Sequence, residues 1–286
     1  MRDRESPAIL TIQSSVAYGH VGNSAAVFPL QRLGFEAWPV NTVQFSNHPG
    51  YGAWRGQIFA PEAVREVILG IAELGVLPRC AAVLSGYLGD VALGEVVLDA
   101  VAMVKAANPT ALWCCDPVIG DVADGIYVRP GIPEFFRDRA LAAADLVTPN
   151  CFEAEFLTGC RIDSLESALA AAAALRARGP SLVLLTSLMV IEGRIGMLAD
   201  SAEGSWLVET PRLAIDPSGA GDTVAALFLA HWLREQAIPA ALEAAAAAIH
   251  AVLQATLDAG ERELQLVAAQ AALVAPPQRF PARRLA

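Results

Sequence analysis

Short apolar runs alternate with helix-length segments along this chain, and most of the runs end on a polar residue or a turn. Ala8-Ile-Leu-Thr-Ile12 ends at Gln13-Ser14-Ser15, as a buried strand does when it delivers a loop. A helix over 23–33 follows, then a strand over 35–43 in which Pro39 implies an edge position or a bulge. After a turn-rich aromatic loop at 44–52 come a helix over 61–74, a strand over 81–85 and a helix over 91–107. The strand 111–115 ends on Asp116-Pro117, and a Gly-rich loop leads to a helix over 133–143. The strand 145–148 closes on Pro149-Asn150, ahead of helices over 152–158 and 164–178 and a strand over 182–185. Weaker strands near 195–199 and 205–209 suggest a hairpin, and the chain from Gly219 onward reads as mostly helical. This order predicts an α/β fold of three layers, α/β/α, with a central, mostly parallel sheet covered on both faces. It also predicts one domain across residues 1–286, without a separate lid domain.

In such sheets ligands bind beyond the carboxyl ends of the strands. Ser14, Tyr87, Asp116, Asn150 and Thr186 each follow a run in this way. Composition narrows the ligand. A net charge of −10 argues against nucleic acid or an anionic membrane as partner. The apolar segment 239–257 holds Glu243, His250 and Gln254 and reads as a core helix rather than a span. The first residues, Met-Arg-Asp-Arg-Glu-Ser-Pro, do not read as a leader peptide. Five cysteines without a C-x-x-C pair suit free thiols in a reducing cytoplasm. Lys105 is the only lysine, and no P-loop occurs, so any nucleotide chemistry proceeds without a P-loop lysine.

Asp216-Pro-Ser-Gly-Ala-Gly-Asp222-Thr223 runs small residues into an apolar helical stretch. The free N–H groups and positive dipole at such a helix start attract anions, and Gly219 and Gly221 let a phosphate approach the backbone. An aspartate at an anion site points to chemistry, such as taking a proton from an attacking hydroxyl. The plainer alternative is that the glycines shape a loop and Asp222 caps a helix.

Four further segments accompany this loop. They are Ile12-Gln-Ser14-Ser-Val-Ala-Tyr-Gly-His20-Val-Gly-Asn23, Asn41-Thr-Val-Gln-Phe-Ser-Asn-His48, Cys115-Asp116-Pro117-Val118 and Thr148-Pro-Asn150-Cys-Phe-Glu153-Ala-Glu155. Together with Gly219-Ala220-Gly221-Asp222, they resemble the pyridoxal kinases of the ribokinase-like superfamily, as does the run Glu263–Gln270. The resemblance implies a ribokinase-like fold and ATP-dependent phosphorylation of the 5′-hydroxymethyl group of pyridoxal, in vitamin B6 salvage. Asp222 would be the base, with an ordinary carboxylate pKa, and the backbone of Gly219, Ala220 and Gly221 would stabilise the transferring phosphoryl group. Asp116 and Glu153 would help to hold Mg2+, partly through water, with Asn150 beside them on phosphate or metal-bound water. A monovalent cation is left open. Asp121 and Asp124 are read as solvated acids.

By the same resemblance Ser14 hydrogen-bonds the pyridine ring, Val21, Val43 and Phe45 supply apolar walls, and Tyr87 covers one side. His48 contacts the ligand or braces its loop. Thr186 and Ser187 would lie near the ATP phosphates, Pro211-Arg212-Leu213-Ala214 near the adenine, and Tyr127 in a lid over 119–131. Core packing is the plainer reading of the apolar trio, a turn that of Asp116-Pro117, and a dipole-favoured first-turn acid that of Glu153. The partners implied are pyridoxal and ATP, and a second copy of the chain in a homodimer. One position departs from the family: the threonine usual after Ser-Asn-His is here Pro49, without hydroxyl or N–H. Pro49 bears on substrate preference rather than on phosphoryl transfer, and it favours one alternative, a hydroxymethylpyrimidine-type kinase. The other alternative, a vitamer- or nucleotide-binding protein that has lost catalysis, is opposed by the intact Asp222, Asp116 and Glu153.

Overall fold

A computed structural model describes residues 6–190 and 192–285. Residues 1–5, which carry most of the reading against a leader peptide, lie outside the described residues. The first third of the chain contains β1 (Ala8–Val16), α1 (Asn23–Arg32), β2 (Glu36–Phe45), β3 (Gly56–Ile58), α2 (Pro61–Glu73) and β4 (Cys80–Ser85). Next come α3 (Ala92–Ala107), β5 (Leu112–Cys115), the short pair β6 (Gly120–Asp121) and β7 (Gly125–Ile126), α4 (Ile132–Phe135) and α5 (Leu141–Ala143). β8 (Leu146–Val147), α6 (Cys151–Thr158), α7 (Leu165–Arg176), β9 (Leu182–Leu188), β10 (Arg194–Ser201) and β11 (Gly204–Pro211) follow. The chain closes with α8 (Ala220–Glu235), α9 (Ile238–Ala259), α10 (Gln270–Val274) and β12 (Arg283–Arg284).

One sheet runs in the order β12-β11-β10-β9-β8-β5-β4-β1-β2-β3. From β9 to β2 every pairing is parallel, and the flanks are antiparallel. Parallel neighbours need crossovers, and the helices between them supply these. Side chains along the central strands alternate between the two faces. In β9, Leu182 and Leu184 join the apolar cluster under α1, α8 and α9, whereas Val183 and Leu185 join the one under α2, α3, α6 and α7. Two faces buried under helices make the three layers. The sole lysine, Lys105 on α3, pairs with Asp145 at 2.6 Å, and Asp145 also accepts the backbone N–H of Trp113 at 2.7 Å. This ties α3 to the sheet between β5 and β8.

Several expectations sharpen against this fold. β1 continues to Val16, so Ser14 lies within the strand rather than beyond it. Thr186 and Ser187 likewise lie inside β9. Pro39 pairs with Thr11 of β1, while β3 borders β2 only at Val43–Phe45, so the outer side of Pro39 meets no strand. A register shift between Gln13 and Ser15 supplies the bulge as well. The helix expected over 133–143 is divided by a π-helical turn at Phe136–Ala140. Within that turn the Arg137 carbonyl accepts a hydrogen bond from Arg178 Nη2 at 2.6 Å, a donor from outside the helix. β10 and β11 form the expected hairpin. α9, the one helix among the described residues long and apolar enough to cross a membrane, packs instead on α8, β10 and β11 and buries Ala241, Leu242, Ala245 and Val252.

The chain leaves β1 for β2 on one side and then returns past β1 to β4 on the other. The strand order reverses there, which opens a crevice at the carboxyl ends of β1, β2 and β4.

Candidate functional site

Asp116 directly follows β5 and is buried. Its backbone N–H donates to the Ser85 carbonyl at 2.8 Å, and Thr148 Oγ1 donates to its Oδ1 at 2.9 Å. Glu153 opens α6 as half of a capping box: Asn150 Oδ1 accepts the Glu153 N–H, and Glu153 Oε2 accepts the Asn150 N–H, each at 2.9 Å. Glu153 Oε1 accepts the Ile119 N–H at 2.9 Å, so both carboxylate oxygens already hold backbone donors. Asn150 Nδ2 donates to the Gly120 carbonyl at 2.9 Å. Glu153 and Asn150 thus brace the 119–120 turn, a task the dipole reading of Glu153 did not contain.

Asp222 lies in the first turn of α8, where Gly219 is the N-cap at φ +86. The first intrahelical donor is Thr223 N–H, to the Gly219 carbonyl at 3.0 Å. The N–H groups of Ala220, Gly221 and Asp222 therefore have no helical acceptor. A side chain on Gly219 would collide with the His20 carbonyl, so this loop lies flat on the 17–22 loop. Nothing among the described residues stands within 4 Å of where a Gly221 Cβ would be.

Electrostatics corrects one expectation. Asp222 is half-buried and does not keep an ordinary carboxylate pKa: burial lifts it to about 6, with the Gly22 backbone N–H pulling the other way. Asp116 is raised well above its usual range, first by burial and then by the negative charges of Glu153 and Asp222. Burial pushes Glu153 up to about 8 against the N–H groups of Ile119, Asn150 and Gly120. Tyr127 stands 49% exposed just after β7, with the acids Glu153, Asp222, Asp121 and Asp116 acting on its phenol. Asp121 does more than sit in solvent. Its Oδ1 accepts the N–H groups of Ala123 and Asp124, both at 2.8 Å, and so ties the β6–β7 turn.

The acidic set fits a divalent cation. The charges that act on Asp116 are those of Glu153 and Asp222, both negative, and a hard cation would relieve them. Because backbone donors hold both Glu153 oxygens, Asp116 is the better direct ligand and Glu153 would act through water. Among the described residues no group of three His, Cys, Asp or Glu side chains forms a metal cage. Magnesium, which keeps several waters, does not need one.

The ring-side residues meet at the crevice. Val21, Val43 and Phe45 form a small apolar cluster with Val16, and Tyr87 and Ile58 pack against it. Val43 is fully buried and Tyr87 half-buried. Ser14 is next to Gly22, where a Cβ would run into the serine's carbonyl and hydroxyl. His48 Nδ1 accepts the Gly50 N–H at 3.2 Å and lies 3.2 Å from Ser218 Oγ, which gives His48 a bracing contact to the anion loop. Burial lowers its pKa. Pro49 is exposed and starts a short turn at 49–51. At the other end, Ser187 is exposed with φ +56, an uncommon backbone for a serine. Thr186 is buried and bridges to Asn150. Pro211, Arg212 and Ala214 are exposed, Leu213 is half-buried, and the Arg212 N–H donates to the Gly193 carbonyl at 3.0 Å.

Sequence reasoning missed Thr148, Gly22 and Trp54. Thr148 and Gly22 lie inside segments that were singled out, but a hydroxyl or N–H aimed at a distant acid has no local signature. Trp54 stacks on Phe45, with ring centroids 4.1 Å apart, from just beyond the turn-rich aromatic loop at 44–52. The Asn150-x-x-Glu153 capping box was readable from spacing alone.

Comparison with known proteins places this arrangement. The family model described as phosphomethylpyrimidine kinase matches residues 63–266. Pyridoxal kinase PdxY of Rubrobacter xylanophilus is 61% identical over 282 residues, covering 97% of each chain. PdxY of Deinococcus radiodurans is 51% identical over 286 residues, covering 97% of this chain and 96% of its own. Pyridoxal kinase from Leishmania donovani, solved in complex with ADP and pyridoxamine, superposes with a TM-score of 0.91 at 28% identity, over 98% of this chain and 100% of that one.

Proposed function

Because the chain belongs to the pyridoxal kinase family, with a ribokinase-like α/β/α fold, we propose that it transfers the γ-phosphoryl group of ATP to the 5′-hydroxymethyl oxygen of pyridoxal. The products are pyridoxal 5′-phosphate and ADP. The observation that carries this reading is the packing of Gly219 on His20, which sets the free N–H groups and carboxyl of the α8 start beside the apolar ring pocket.

Asp222 takes the proton of the attacking hydroxyl. At a pKa of about 6 it is mostly ionised at neutral pH and is a stronger base than an ordinary aspartate. The N–H groups of Ala220 and Gly221, behind the Gly219 cap, face the charge that develops on the transferring group. Asp116 would hold Mg2+ directly, with Glu153 and Asn150 shaping its surroundings. When bound, the ion neutralises phosphate charge, a task a P-loop lysine performs elsewhere.

Ser14 supplies the polar contact to the pyridine edge, while Val21, Val43, Phe45 and Tyr87 cover its faces. His48 braces the pocket against Ser218, and Pro49 removes the hydroxyl usual at that point of the ring site. Thr186 and Ser187 border the phosphates, and Pro211, Arg212, Leu213 and Ala214 border the adenine. Tyr127 and the β6–β7 turn act as a lid that excludes water. The chain works as one domain over 1–286, as a homodimer, and in the cytoplasm, where its five free cysteines stay reduced.

Incubation with ATP, Mg2+ and a panel of pyridoxal, pyridoxine, pyridoxamine and hydroxymethylpyrimidine tests the function. ADP release with pyridoxal is expected. Pro49 and the family model's pyrimidine description favour one second reading, and release with the pyrimidine alone would establish it. Release with none would make the chain a binding protein, against the arrangement of Asp222, Asp116 and Glu153.

A further inference from the structure

The segment that begins at Glu263 has no part in the chemistry above, yet its first side chain reaches both loops that border the ring pocket. Glu263 Oε2 accepts the backbone N–H of His20 at 2.9 Å, and Oε1 accepts the Tyr51 hydroxyl at 2.7 Å. The carboxylate occupies the space that a side chain on Gly19 would enter. Beside it, Arg262 Nη2 donates to the Gly50 carbonyl at 2.6 Å, and its guanidinium carbon lies 3.9 Å from the centre of the Tyr51 ring. Tyr18 meets that ring edge-on, with centroids 6.0 Å apart.

Each gripped loop bears on the site. The 17–22 loop sets the His20 carbonyl against Gly219 and packs Gly22 on the carbonyl and hydroxyl of Ser14. The 48–52 loop carries His48, whose ring touches Ser218. Core packing of the C-terminal segment does not need Glu263, because the fully buried Leu264 and Leu266 hold it beneath α9 and the sheet. The acid is half-buried and spends both oxygens on loop donors. One of these bonds also lifts the Tyr51 phenol to about 12. Hydrogen bonds to a charged acceptor are stronger than neutral ones, and two from separate loops hold those loops together.

We propose that Glu263 is a positioning residue for acceptor capture: with Arg262 it clamps the 17–22 loop to the 48–52 loop and so holds the ring pocket in register with the Gly219–Asp222 anion loop. The proposal rests on the ring pocket being the acceptor site, as read above. The clamp acts on pyridoxal and leaves largely untouched the ATP contacts at the ends of β8, β9 and β11, none of which Glu263 or Arg262 touches.

Steady-state kinetics of three variants of the full chain test it. Glu263→Ala should raise the KM for pyridoxal about tenfold while the KM for ATP stays within about twofold. Glu263→Gln, whose amide oxygen still accepts from His20 and whose amide N–H can donate to Tyr51, should recover a pyridoxal KM within about threefold of the parent. Tyr51→Phe removes a single half-exposed hydroxyl and should raise the pyridoxal KM about threefold. It decides the matter if Glu263→Ala fails to fold. A parental pyridoxal KM in Tyr51→Phe or in folded Glu263→Ala would overturn the clamp, as would equal rises for pyridoxal and ATP. If the parent does not turn over pyridoxal, the functional reading has failed instead, and that result is visible before any variant is measured.

Discussion

Gly219 rests against the carbonyl of His20 so closely that no Cβ could stand between them, and at φ +86 it holds a backbone conformation that L side chains rarely adopt. This contact joins the two ends of the chain's chemistry, since His20 belongs to the loop after β1 and Gly219 caps the helix that presents Asp222. The two glycines of the loop should therefore respond differently to a methyl group. Gly219→Ala combines a left-handed backbone with a collision and should cost roughly 1–3 kcal/mol, read as a lower Tm, together with most of the turnover. Gly221→Ala meets no protein atom within 4 Å and sits in a helix. Its Tm should hold or rise, while kcat/KM for ATP falls because the methyl lies where phosphate must approach. Equal Tm losses in both variants would show that the loop is packed otherwise.

Acid and metal dependence follow from the three carboxyls. Asp222, Glu153 and Asp116 all have pKa values raised by folding, to about 6, to about 8 and well above the usual range. A carboxyl of this kind favours the fold in its neutral form. Its contribution is present below the unfolded pKa near ~4 and is lost as pH rises through the folded value. Without Mg2+ the Tm should therefore fall between pH 5 and pH 8.5, by roughly 2–4 °C for each kcal/mol lost. Mg2+ should restore it more at pH 8.5 than at pH 5. Differential scanning fluorimetry with and without chelator reads this, and a Mg2+ effect that is the same at both pH values would contradict the assignment.

Glu153 should prove structural as well as electrostatic. Glu153→Ala strips the Ile119 and Asn150 N–H groups of their acceptor and should cost about 1–3 kcal/mol by urea denaturation at pH 6, where the carboxyl is largely protonated. Glu153→Gln keeps an acceptor oxygen and should lose less. An alanine variant as stable as the parent would show that the brace at residues 119–120 does not depend on this side chain.

Pro49 is exposed, so Pro49→Thr should change stability by less than about 1 kcal/mol. With a hydroxyl restored beside the ring pocket, the KM for pyridoxal should drop about threefold. An unchanged KM would mean that Ser14 and its neighbours already satisfy the ring.

Much of this arrangement is legible in the sequence, because burial on two faces forces strands into apolar runs and sends their polar ends to one edge of the sheet. Asp116 after β5 and Asn150 after β8 follow from that rule alone. Extents were less legible: β1 carries on through Gln13, Ser14 and Ser15 because β2 keeps pairing with it past a bulge, although pairing with β4 stops at Ile12. The pKa of Asp222 could not be read, since the loop that Gly219 packs on, and the Gly22 backbone that acts on the acid, come from the other end of the chain. The grip of Glu263 on His20, 243 residues away, is hidden for the same reason. Glu153 looked like one acid with one task, and only the geometry shows two backbone donors already on it.

The central claim is that Asp222 is the base for the acceptor hydroxyl, and its isosteric amide tests it most directly. Asp222→Asn, measured at saturating ATP, Mg2+ and pyridoxal, should retain ATP binding by calorimetry and lose on the order of 10²–10⁴ in kcat. A kcat near the parental value, with nucleotide binding intact, would contradict the account.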